Sequence, residues 1–427
     1  MPRMLYRISW IMEYVVIVAI GVAALTASGP RPANEVDRVR AYTRDIEFDY
    51  VSWMLNAASI KLEQGAVGIP GYLSRESSTT AVSDYLQVTK AIIDAEDALN
   101  RIYADPSITD KQGASAHIRV QLDGLNQRQA ALAPIAEGIL QGQVAQVAAD
   151  LGLTTFGQPI PSVLYHSTSV PDALIVSPRN HIEQSANISI TPGLTADQQT
   201  ALEDRVDKGL DVSSLVVPIG GVGVYPTMIM RTTDLNWLTS TIGHEWTHNY
   251  LEFRPLGLLY DHTPQLRTMN ETTADIVGGE IGAEVLSRYY PNLRASPLPS
   301  FNLIALPFSH PNPGDVKRPA FDFRAEMHTT RVNADALLAQ GKIAEAEAYM
   351  EQRRQIFVQN GYYIRRLNQA YFAFYGAYAD VPGGAAGEDP VGPAVRALRA
   401  ESKSLADFVN RIAWMTSFDQ LKQAVGE

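Results

Sequence analysis

The sequence predicts an α+β protein, mainly helical with a small β-sheet. Two observations carry this. Apolar residues recur at helical spacing through residues 34–151 and again through roughly the last hundred residues. Between these regions, from about Thr154, the chain turns β-branched and is punctuated by Pro and Gly. No internal repeat of fixed period is present.

The elements follow in chain order. Arg3 and Arg7 precede "ISWIMEYVVIVAIGVAALTASG", in which the run from Tyr14 to Ala27 carries no charge. That run is short for a transmembrane helix, which needs roughly 20 residues. Extending it back to Ile8 brings in Glu13, which is costly in hydrocarbon. Residues 1–29 are therefore expected to be either a secretory signal cleaved near "TASG" or an uncleaved membrane anchor. In both cases the arginines favour a cytoplasmic N-terminus. The bulk of the chain is then expected outside the cytoplasmic membrane, anchored to it or secreted.

"PRPA" at residues 30–33 is a short linker. "VDRVRAYTRDIEFDYVSWMLNAASIKLEQ", "AVSDYLQVTKAIIDAEDALNRIYAD" and "SAHIRVQLDGLNQRQAALAPIAEGILQGQVAQVAADLGL" make residues 34–151 a helical region that gathers no catalytic residue types. "PSVLYHSTSVPDALIVSPR" and "HIEQSANISITPGL" predict strands, and "TADQQTALEDRVDKGL" a helix. "SSLVVPIGGVGVYPTMIM" predicts two strands joined around Gly220–Gly223. "TDLNWLTSTIGHEWTHNYLEF" predicts a helix capped by Asp234, with Leu238, Ile242, Trp246 and Tyr250 recurring every four residues. After Pro291 a proline-rich loop runs to about Pro319. Helices then cover "FRAEMHTTRVNADALLAQ", "KIAEAEAYMEQRRQIFVQ", "YYIRRLNQAYFAFYGAYAD" and "VGPAVRALRAESKSLADFVNRIAWM".

Composition narrows the function. Of 427 residues, 46% are hydrophobic and 19% charged, enough for a large core. The net charge of −11, with no basic stripe, argues against nucleic-acid binding. The absence of cysteine excludes disulfides, thiolate catalysis, cysteine metal sites and a lipid-modified cysteine.

The chemistry-bearing letters are "HEWTH", His244 to His248. On a helix, residues four apart share a face about 6 Å apart. His244 and His248 can then reach one ion at Zn–N distances of roughly 2.0–2.1 Å. Glu245 can act as base on a water whose pKa zinc lowers to about 7. A third ligand is needed. Leu251 and Arg254 stand where an extended H-E-x-x-H-x-x-G-x-x-H motif has its glycine and last histidine, so that pattern fails. Glu252 lies about 12 Å along the helix from His244, too far. His262 and Asp261, in a loop, remain open as ligands. The stronger candidate is "MNETTADIVGGEIGAEVL", which places Glu271 and Asp275 on one helical face. Glu271 would complete a His₂Glu set, and Asp275 would accept a hydrogen bond from a ligand histidine and fix its tautomer. Gly278, Gly279 and Gly282 would let the two helices approach closely.

At these residues the chain resembles the gluzincin, or thermolysin-like, metallopeptidases. These join an H-E-x-x-H helix to a second helix bearing N-E-x-x-S/A-D, matched here by His244, Glu245, His248, Asn270, Glu271, Ala274 and Asp275. Twenty-two residues separate His248 from Glu271. The resemblance spans roughly 60 residues. It implies one Zn²⁺ on His244, His248 and Glu271, with Glu245 as general base and Asp275 supporting a ligand. It implies a zincin-like catalytic unit over 152–427, with a C-terminal helical subdomain from about 320 to 427. In such enzymes a strand before the first helix lies along the substrate backbone, and "GVGVYPTMIM" (Gly221–Met230) occupies that place. No G-x-M-E-N-like segment precedes the helix, so aminopeptidase action by that route is not expected. The transition-state donor is sought among Tyr371, Tyr375 and Tyr378, and His328 with Arg331.

The expectation is a membrane-tethered, extracytoplasmic zinc metallopeptidase acting on a peptide or protein. Three alternatives stay open: a zinc hydrolase of a non-peptide substrate, a catalytically silent zincin-fold binding protein of the envelope, and a helical envelope protein with a fortuitous motif.

Overall fold

The computed structural model describes residues 34–67, 72–104, 108–293, 321–362, 364–377, 385, 387 and 389–426. The chain opens with α1 (Glu35–Arg40), capped by Asn34, and α2 (Tyr50–Val67). The long helix α3 (Arg75–Ala104) and the short α4 (Lys111–Ala114) precede α5 (Ala116–Asp150), which lies along α3. Strands β1 (Tyr165–Thr168), β2 (Asp172–Pro178) and β3 (Ala186–Ile190) follow. Helix α6 (Ala196–Leu210) starts in a capping box between Thr195 and Gln198 and ends at Asp211, which takes the left-handed conformation. Then come β4 (Val212–Pro218), β5 (Gly221–Val222) and β6 (Thr227–Met230).

The strands form two three-stranded sheets. In one, β2 is central and antiparallel to both β3 and β4, with Leu174 opposite Ile188 and Val216. Both faces of this sheet are covered, which is why its strands read as apolar runs. Leu174, Val176, Ile188 and Val216 pack with Val39, Leu202 and Val206 of α1 and α6. The alternate residues Ala173, Ile175, Leu215 and Val217 face the opposite core. In the other sheet β6 is central, parallel to β1 and antiparallel to β5. The expected pair of strands around Gly220–Gly223 is thus three strands in two sheets. Pro218 has no N–H to continue a ladder and is the last residue of β4. Gly221 and Val222 then pair with Ile229 and Met228.

Helix α7 (Leu235–Leu251) is capped by Asp234, whose side chain accepts from the Trp237 N–H at 3.0 Å. Its stripe of Leu238, Ile242, Trp246 and Tyr250 is buried in the main core. The short α8 (Pro255–Leu258) leads to α9 (Pro264–Tyr289), capped by Thr263. The proline-rich loop expected after Pro291 falls largely outside the described residues. Helices α10 (Phe323–Ala339) and α11 (Ile343–Gln359) cover the second face of the β2 sheet. The helix expected across "YYIRRLNQAYFAFYGAYAD" is shorter, α12 (Gln369–Tyr375). Arg365 and Arg366 are drawn off to Glu203 of α6, and Asn368 then caps a new start by accepting from the Tyr371 N–H at 3.0 Å. Helices α13 (Val391–Glu401), α14 (Leu405–Ile412) and α15 (Phe418–Ala424) complete the chain.

The main core draws on α3 and α5, on β1 and β6, on α7 and α9, and on α13–α15. Glu137 of α5 is fully buried, bonded by Lys61 of α2 at 2.5 Å and by the Ser167 N–H of β1 at 2.9 Å. Residues on both sides of the 151/152 division therefore share one interior.

The membrane expectation is corrected here. Among the described residues, no helix is long and apolar enough to cross a membrane. The long helix α3 carries charges throughout, from Glu76 through Lys90 to Asp97. Residues 1–29, on which the expectation of an anchor or signal rested, lie outside the described residues.

Candidate metal centre

Helices α7 and α9 cross at small residues. A Cβ on Gly278 would lie 2.5 Å from the Ser240 carbonyl oxygen and 2.8 Å from the His244 nitrogen. Only a hydrogen there lets the backbones come this close. Gly282 likewise sits against Ser240. The crossing brings two histidines of α7 against two carboxylates of α9, all on buried faces.

The ring orientations follow from polar partners on the far side of each imidazole. Asn270 donates its amide to the Leu256 carbonyl at 3.2 Å, which turns its oxygen toward His248 Nδ1 at 2.8 Å. His248 Nδ1 therefore carries the proton. His244 Nδ1 lies 2.9 Å from Asp275 Oδ1, which likewise selects the Nδ1–H tautomer. Both Nε2 lone pairs then point inward, 2.9 Å apart. Glu271 Oε2 is buried, has no hydrogen-bond partner, and lies 3.5 Å from His244 Nε2 and 3.6 Å from His248 Nε2. Three electron-rich atoms thus face one another and require a positive charge among them. One ligand atom from each of His244, His248 and Glu271 lies within 4.8 Å of the others. A His₂Glu donor set of this kind suits a divalent ion such as zinc.

The electrostatics agree with that requirement. Burial opposes a charged His244, yet Asp275, Glu271 and Glu245 push its pKa up to about 10. Burial also opposes charge on His248, and Glu271 and Glu245 raise it. Burial would lift the Glu271 carboxyl, but the two imidazoles hold it well below the usual carboxylate range. Burial pushes Glu245 upward against the pull of the same histidines. Without an ion, a proton on His244 supplies the cation the site needs.

The centre opens on a cavity of about 390 Å³. One wall is the edge strand β5, and Glu245 abuts it so closely that a Cβ on Gly221 would lie 2.5 Å from Glu245 Oε1. Two tyrosines also line it. Tyr260, between α8 and α9, donates its hydroxyl to Glu271 Oε1. Tyr50 of α2 donates to Ser189 Oγ at 2.8 Å, and burial together with the Glu245 charge raises its phenol. Burial and Glu271 raise Tyr260 further. Both are therefore hydroxyl donors at neutral pH.

The sequence-derived donor candidates lie elsewhere. Tyr371 and Tyr375 pack against each other with ring centroids 4.4 Å apart, in or against the core beneath the β2 sheet. Neither lines the cavity. Arg331 binds Asp335 at 2.7 Å and the Phe372 and Ala385 carbonyls, and His328 shares its helix. Tyr378 lies outside the described residues. Asp261 and His262 are exposed on a second cavity of about 670 Å³ and do not join the His244 group. Neither Tyr50 nor Tyr260 belongs to a motif, so the sequence does not single them out. The only local signal was the position of Tyr260 in the loop joining the two motif helices.

No family model, curated protein or solved structure matches this chain.

Proposed function

We propose that the chain is a zinc metallopeptidase of gluzincin type, with a zincin-like catalytic unit. The observation that carries this is the convergence of His244 Nε2, His248 Nε2 and Glu271 Oε2 beside Glu245 in an open cavity. His244, His248 and Glu271 hold the ion, and Asp275 and Asn270 fix the two imidazoles. Zinc bound there supplies Lewis acidity, toward water and toward a carbonyl oxygen.

The remaining work falls to the chain's own groups. The outer edge of β5 carries no partner strand among the described residues, so a substrate backbone adds alongside Gly221 and Val222. Glu245 takes a proton from the attacking water and returns it to the leaving amine. The Tyr260 and Tyr50 hydroxyls line the cavity and would reach a developing oxyanion by exchanging their bonds to Glu271 and Ser189 for one to the substrate.

The test is a degenerate peptide library incubated with the zinc-loaded protein and with Glu245→Gln. The expected result is cleavage by the wild type, a fall of at least about 10²-fold in the variant, and equal zinc content in both. Hydrolysis of esters or amides but never of peptides would replace the peptide substrate with another class. No turnover by a zinc-loaded wild type would leave a silent binding protein.

A further inference from the structure

Among the described residues lining the metal-site cavity, Arg267 is the one arginine or lysine. It is 7% exposed and stands on α9 one turn before Glu271. Its guanidinium is fixed in place: Nη1 donates to the Ala373 carbonyl at 3.1 Å, and Nε donates to the Tyr260 hydroxyl at 3.4 Å. That same hydroxyl donates to Glu271 Oε1. Arg267 and the ligand carboxylate therefore flank a single oxygen atom. Arg267 and Asn187 also line the second cavity of about 670 Å³, so the guanidinium stands in the wall where the two spaces meet.

We infer that Arg267 anchors the free carboxyl terminus of the substrate, making the protein a peptidase that trims chains from their carboxyl end. This rests on the peptidase reading of the metal centre. A guanidinium cannot lose its charge, matches a carboxylate with paired N–H donors, and binds it more strongly where water is excluded. Here it is held rigid before the ligand arrives, so little ordering is left to oppose binding. Position sets the cut. An extended peptide advances about 3.3–3.6 Å per residue. Since Arg267 and Glu271 touch one hydroxyl, a carboxylate on Arg267 falls one or two residues beyond the carbonyl presented to His244, His248 and Glu271. Water then adds across that C–N bond, its oxygen going to the acyl carbon and its protons to the released amino group. The product is a free amino acid or a dipeptide.

The experiment uses the zinc-loaded full chain and three N-acetylated degenerate hexapeptide libraries. One ends in a free carboxyl, one in an amide, and one in an amide with internal Asp and Glu enriched. Released fragments are read by mass spectrometry. The wild type is expected to release single residues or dipeptides from the free-acid library at least tenfold faster than from either amide library. Arg267→Met should narrow that ratio below threefold through KM, with Arg267→Lys between. Binding without turnover is read by calorimetry on Glu245→Gln, using one free-acid peptide and its amide, and a tenfold difference in Kd is expected. Equal rates on acid and amide would overturn the inference while the peptidase reading stands. Cuts in amide libraries confined to bonds beside Asp or Glu would move the anchored carboxylate to a side chain and also overturn it. No binding and no cleavage of any library would remove the peptidase reading and the inference together. The acid-against-amide comparison in the unmutated protein decides the matter even if the arginine variants fail to fold.

Discussion

Asn270 does its work through two short bonds, one to the Leu256 carbonyl and one to His248 Nδ1. Removing it leaves the imidazole free to turn or change tautomer. Asn270→Ala is expected to weaken zinc binding by about 10–100-fold with the fold retained, measured by competition with a chromophoric chelator. Unchanged affinity would show that the helix crossing alone orients His248. A second residue acts through stability. Burial raises the Asp172 carboxyl to about 6. Its unfolded value is about 3.9. Below that value both states are protonated and nothing is lost. Between about 3.9 and about 6 the unfolded state ionises while burial keeps the folded carboxyl protonated, so stability falls across that window and stays lower above it. Asp172→Asn should therefore raise the urea midpoint at pH 8 and leave it nearly unchanged near pH 3.5. These two positions differ in legibility. Glu271 and Asp275 are readable because four-residue spacing puts them on one helical face, and Asn270 is readable only through the motif that the chain resembles. Asp172 looked like any strand-end acid, because its burial comes from packing that no local pattern announces.

At the scale of elements, the site depends on how closely α7 and α9 cross. Gly278→Ala places a methyl against the Ser240 and His244 backbones, which cannot swing aside. The expected cost is about 1–3 kcal/mol of stability, read from chemical denaturation, together with weaker zinc binding as His244 is displaced. A variant as stable and as zinc-avid as the wild type would show the crossing to be loose. The glycines were legible as a license for close approach, because a helix otherwise gains nothing from them. Strand order was not. Nothing local in "SSLVVPIGGVGVYPTMIM" says that β4 joins one sheet while β5 and β6 join another. The aromatic run that forms α12 predicts a longer helix because its apolar spacing is helical. The competing pull of Glu203 on Arg365 and Arg366 comes from α6, more than 150 residues earlier in the chain.

The whole molecule ties the early helices to the chemistry. Leu140, Val144 and Val147 of α5 pack in the same core as Ile242 and Trp246 of α7. The Phe48 N–H donates to the Ser189 carbonyl at 3.0 Å and the Thr191 N–H to the Ile46 carbonyl at 2.7 Å, and this pairing delivers Tyr50 to the cavity. A chain beginning at residue 152 would lose that tyrosine and expose the apolar face left by α5. It is expected to aggregate or to lack the sharp near-ultraviolet dichroism of a packed core. A monomeric, zinc-binding 152–427 fragment would show instead that the part bearing the metal centre folds alone. This dependence was hidden in the sequence, because residues 34–151 contain only helical periodicity and the contacts that give them a role are made far along the chain.

Metal content decides whether His244, His248 and Glu271 form a zinc site. The 427-residue chain, wild type beside Glu271→Ala, is purified without chelators, dialysed against zinc, and assayed by atomic emission. About one zinc per chain is expected in the wild type and its loss in Glu271→Ala, because two imidazoles alone leave the set one donor short. Zinc retained at full stoichiometry in the variant would contradict Glu271 as a ligand. No zinc in either protein would contradict the metal centre itself.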